Sequence, residues 1–94
     1  MMEIPQTIKI GGINYTVKFD HLLGAQRRCF AEHHPFTQEI VLAEGQPPEQ
    51  AGESLLHEII EAINNHCQLG LEHLQIQVMG FILHQVLRDN KLVF

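Results

Sequence analysis

His57 and Glu61 stand four residues apart in the segment Leu55-Leu56-His57-Glu58-Ile59-Ile60-Glu61-Ala62-Ile63. On a helix, side chains at that spacing share one face, with Cβ atoms about 5–6 Å apart. An imidazole and a carboxylate so placed can grip one divalent ion, since both are zinc donors at about 2.0–2.2 Å. Glu58 adjoins the pair.

The segment reads HExxE, one residue from the metallopeptidase motif HExxH. A catalytic zinc takes three protein donors and leaves one position open, so a third donor must come from elsewhere. Cys67 lies ten residues past His57, about 15 Å along the same helix, and cannot close on the same ion. His66 fails for the same reason. Two histidines, His73 and His84, fall in a second helical segment. If the two segments fold back about residue 69, His73 lies beside roughly residue 65 and His84 beside roughly residue 54, each about 4–6 Å along the axis from the His57–Glu61 pair. His33 and His34 are further candidates. Spacing alone leaves these three options open.

The elements that must hold these residues are legible in the patterning. Residues 7–10 and 13–19 are β-rich runs joined by Gly11-Gly12, a hairpin with a tight primed turn. Ile13, Tyr15, Val17 and Phe19 alternate with polar residues and give that strand one apolar face. Residues 20–26 form a connector with at most a short turn. Residues 28–32 predict a third strand, 33–37 a polar turn containing His33-His34-Pro35, and 38–42 a fourth strand. From about Glu49 the period becomes helical, with Pro48 suited to a helix start and Gly70 to its end. Leu55, Leu56, Ile59, Ile60 and Ile63 predict the apolar stripe of this helix. A second helix is expected from about Glu72 to Asp89, with Leu74, Val78, Phe81, Ile82 and Val86 as its core face. The sum is an α+β fold: a small antiparallel sheet, made of the hairpin and two further strands, followed by two antiparallel helices.

Ninety-four residues predict one domain, β-rich over residues 1–46 and helical over 47–90. The net charge of −5 and scattered basic residues, with Arg27-Arg28 the one adjacent pair, argue against a nucleic-acid partner. No apolar run approaches the roughly 20 residues of a membrane span, and Met1-Met2-Glu3-Ile4-Pro5 does not read as a signal peptide. Cys29 and Cys67, without a CxxC spacing, suit a reduced cytoplasmic protein and read as small buried apolar residues.

HEIIEAIN, GLEHLQIQ and HQVLRDN together resemble the small phage and prophage proteins whose helical half is a minimal zincin. The similarity covers roughly residues 54–90. The hairpin and the QEIVL strand are also similar in layout to minimal zinc peptidases of the IrrE and SprT type. The resemblance implies the histidine of LEH, His73, as third ligand. It ranks His84 lower, since an aromatic residue usually fills that position. The implied site is His57, Glu61 and His73 on Zn2+, or another divalent ion, with Glu58 as base. Glu61 replaces the second histidine of HExxH, which adds negative charge and weakens the ion as a Lewis acid. The resemblance further implies an extended peptide or protein segment held along a sheet edge, expected at Gln38–Leu42. A non-enzymatic module of the same fold, stapled by metal or binding a partner, is the alternative. A third reading is a metal-free oligomer with the helices as its contact face, suggested by the exposed sheet edge and the apolar tail Leu92-Val93-Phe94.

Overall fold

The computed structural model describes residues 4–26 and 29–92; Met1 to Glu3, the Arg27-Arg28 pair and Val93-Phe94 of the expected tail lie outside the described residues. Among the described residues, four strands and three helices follow in the order β1 (Thr7–Ile10), β2 (Ile13–Asp20), α1 (Leu23–Gln26), β3 (Ala31–His34), β4 (Glu39–Ala43), α2 (Pro48–Cys67) and α3 (His73–Asp89). This is the expected α+β arrangement, a sheet followed by two helices.

The hairpin forms as its Gly-Gly predicts. Gly11 and Gly12 adopt φ of 58° and 83°, the left-handed pair that a primed turn requires. Ile8 then pairs with Tyr15 and Ile10 with Ile13. The sheet as a whole is mixed, not antiparallel as expected. Its order is β1-β2-β4-β3, and β4 runs parallel to β2, with Val17 opposite Ile40 and Phe19 opposite Leu42. The reason lies in strand composition. Ile40 and Leu42 are wholly buried, so β4 takes a central position with neighbours on both sides. β3 carries Glu32, His33 and His34 and takes the edge, where polar side chains can reach water. The expected edge at Gln38–Leu42 is therefore interior, and the free edge beside α2 belongs to β3. The third strand also starts later than predicted and includes His33 and His34. The turn falls at residues 35–38, where Pro35 has no amide to lose and Gln38 takes a left-handed φ of 58°.

α2 lies across the sheet. Ile10, Tyr15, Val17, Ile40 and Leu42 meet Leu55 and Ala62 to form the core, with Ile59 packed at its margin. The predicted stripe on α2 is thus half right: Leu55 is buried, Leu56 and Ile60 are half-buried, and Ile63 is exposed. The predicted face of α3 is wrong. Leu74, Val78, Phe81 and Ile82 are exposed and Val86 is half-buried, while the buried residues are Ile76, Gly80 and His84. These recur every four residues, a complete helical stripe, and Gly80 lets the helices come close. A Cβ at Gly80 would lie 3.3 Å from the His57 Cα. Apolar count alone pointed to the larger residues; the small residue decided the packing.

No helix among the described residues is long and apolar enough to cross a membrane.

Candidate metal centre

His57 and Glu61 occupy the middle of α2, one turn apart. His73 opens α3, two turns before Gly80 and so on the same side of that helix. The close approach at Gly80 sets α3 against the His57 backbone, and the His57 and His73 rings come to a centroid separation of 5.1 Å. One ligand atom from each of His57, Glu61 and His73 lies within 4.8 Å of the other two. Donors about 2.1 Å from a common ion stand roughly 3–4 Å apart. Small side-chain rotations would therefore close the set.

The start of α3 is held firmly. α2 ends with Gln68 in the left-handed conformation. The Asn64 side chain then ties the turn: the Leu71 amide donates to Asn64 Oδ1 at 2.9 Å, and Asn64 Nδ2 donates to the Leu71 carbonyl at 3.3 Å. Glu72 caps α3 in a capping box with Gln75, whose Oε1 accepts from the Glu72 amide at 2.9 Å. His73 therefore projects from a fixed point.

Glu58 points away from solvent and is only 6% exposed. Burial, then the neighbouring Glu61 and Glu32 carboxylates, push its pKa up to about 7. A surface carboxylate would stay near 4.5; this one is poised to exchange a proton at neutral pH. Burial lowers the His57 pKa, and His73 lowers it further against the pull of Glu61 and Glu53. The imidazole stays neutral and available as a donor to lower pH than an ordinary histidine.

A cleft of about 460 Å³ is lined by His57, Glu58 and His73. Glu53 and Gln77 of the helices and Phe30 and Ala31 at the head of β3 also line it. The Gln46 side chain ties the start of β3 to α2. Gln46 Nε2 donates to the carbonyls of Phe30 at 3.1 Å and Ala43 at 2.9 Å, while Gln46 Oε1 accepts from the Ser54 hydroxyl at 3.0 Å.

The other histidines have different engagements. His84 is buried against Gly52, where a Cβ would come within 2.8 Å of its Nε2, and does not join the group. His34 lies 3.0 Å from Glu32. His33 faces α2, with its Nε2 3.5 Å from the Tyr15 hydroxyl, and that hydroxyl also bonds His66 Nε2. The pattern closes if Tyr15 donates to His66 and accepts from His33. Burial raises the Tyr15 pKa. It also lowers that of His33, against the opposing field of Glu61. Tyr15 is thus committed to tying α2 to the sheet. Cys67 is exposed and Cys29 half-buried at the cleft, not the buried apolar pair expected; the two form no disulfide.

Asn64, Gln46 and Ser54 were not singled out by the sequence, although each positions the site. Asn64 had a weak signal, as a poor helix former in the last turn before a glycine. No family model matches the chain, and no curated protein or solved structure matches it.

Proposed function

We propose that the protein binds one divalent cation, zinc by the character of its donors, through His57, Glu61 and His73, and acts as a metal-dependent peptidase of minimal zincin type. The observation that supports this most is the convergence of the three donor atoms within 4.8 Å of one another, beside a buried carboxylate with a pKa of about 7. Two histidines and a glutamate make up a donor set of known zinc peptidases, and the ion would supply Lewis acidity to the scissile carbonyl and to water. Glu58 takes a proton from the attacking water and returns it to the leaving amine. The free edge of β3 lies beside the cleft and offers main-chain groups to an extended peptide. A reducing, cytoplasmic setting and a phage or prophage origin belong to the same proposal.

Metal content of the untagged protein tests the site, with His57→Ala as control. About one equivalent of zinc in the wild type and none in the variant is the expected result. No metal in either, after zinc is offered, sinks the proposal. Glu58→Gln then tests the mechanism: it retains metal and loses hydrolysis of an unstructured protein substrate.

One observation favours a second, non-enzymatic reading. α3 buries only Ile76, Gly80 and His84, and the metal group joins its first residue to α2. An ion there would staple a thinly packed helix. A chelator separates the two readings. A structural ion would couple to folding and lower the melting temperature sharply on removal. A catalytic one would leave the fold largely intact.

A further inference from the structure

We propose that the outward face of α3 is a self-association surface, and that its occupant is the same face of a second copy of this chain. Four large apolar residues stand on that face: Leu74 is 69% exposed, Val78 52%, Phe81 57% and Ile82 49%. Their spacing of four, three and one residues places them on one stripe. Val78 lies two residues from Gly80, about 200° around the helix, so the stripe points away from α2. Met79 and Leu83, also exposed, extend it along one flank.

Area and charge both select a second copy. The six residues expose on the order of 600 Å² of side chain, at the upper limit of what monomers carry and close to the roughly 800 Å² per partner of a standard interface. The chain has a net charge of −5, yet no Asp, Glu, Lys or Arg occurs between Glu72 and Arg88. A charged partner would find nothing on this stripe to recognise. A second copy would meet no like charge, and its own stripe matches in length and in apolar character. Leu74, Val78 and Phe81 follow the four-three alternation of a helix-pairing seam. A two-fold pairing of identical helices repeats every contact twice, so a stripe of this length is enough. His73 and Gln77 lie on the side of α3 that faces the cleft, so the cleft stays open in the pair.

Sedimentation equilibrium on the full chain tests the proposal, from about 1 to 200 µM, a range that brackets a micromolar dimer. A monomer–dimer equilibrium is expected. Val78→Glu and Phe81→Glu each bury a carboxylate in the interface and should weaken association at least about 100-fold. Both positions are exposed in the single chain, so circular dichroism and metal content should not change. A wild type that stays monomeric across the range overturns the proposal, as does a dimer that both variants form as tightly as the wild type. A chain that dimerises only after residues 92–94 are removed would make the tail the occupant and overturn it as well. Because metal content is read separately, failure here is distinct from failure of the metal site.

Discussion

Replacing Glu58 with glutamine should stabilise the metal-free protein at neutral and alkaline pH while removing its proposed catalytic base. In the fold the carboxyl titrates near 7; in the unfolded chain it returns to about 4.5. Between those values the folded state holds a proton that the unfolded state has released, so stability falls as pH rises. The favourable contribution is complete below about 4.5 and is lost as pH climbs through about 7. At 1.36 kcal/mol per pH unit the gap amounts to about 3 kcal/mol at pH 8, and to about 1 kcal/mol at pH 5. A glutamine side chain at this position would keep the volume of the glutamate and carry no charge at any pH, so the variant escapes this penalty.

For a domain of this size, about 3 kcal/mol corresponds to roughly 10–20 °C in melting temperature. The assay is thermal unfolding of both proteins in chelator, at pH 5, 6, 7 and 8. The wild type should lose stability over that series relative to the variant, with most of the divergence between pH 5 and 7. Metal should narrow the gap, because a cation beside Glu58 favours its ionised form. Parallel melting curves at every pH would refute the reasoning, since they would mean that Glu58 is solvated or already ionised in the fold. A variant less stable than wild type at pH 8 would refute it also.

Two further outcomes follow from the geometry around the site. Gly80→Ala should destabilise the protein by about 1–3 kcal/mol in spite of alanine's better helix propensity, because the new methyl meets backbone atoms of His57 that cannot swing aside; thermal unfolding and a zinc competition titration should both register the loss. Asn64→Ala should release the turn at Leu71, costing about 1–2 kcal/mol and weakening metal binding with no ligand removed, which the same titration measures against a His84→Ala control that keeps its metal.

The parts of this molecule that could be read from its sequence are those that depend on local chemistry. Gly11-Gly12 requires a primed turn wherever it occurs between β-rich runs, and the hairpin is there. Pro48 and Gly70 bracket α2 to within a few residues because proline lacks a donor and glycine tolerates a left-handed φ. His57 and Glu61 share a face because helical geometry demands it. What failed depended on partners distant in sequence. Parallel pairing of β2 and β4 is set by which strand is apolar enough to be covered on both sides, and β3 had to be displaced to the edge for it. The buried state of Glu58 comes from the layer formed by α2 and the sheet, and nothing in HExxE announces it.

The position of Gly80 joins these failures to the candidate site. Leu74, Val78, Phe81 and Ile82 look like a core face because they are large, yet a large residue at the crossing would hold α3 too far from α2. His73 could not then reach the His57–Glu61 pair. Glycine at the crossing gives up buried area on α3 and in return brings two imidazoles to 5.1 Å. The apolar stripe left outside is then the remainder of the same choice. A helix whose small face positions the proposed metal donor must cover its large face some other way, and the proposed second copy would do so without obstructing the cleft.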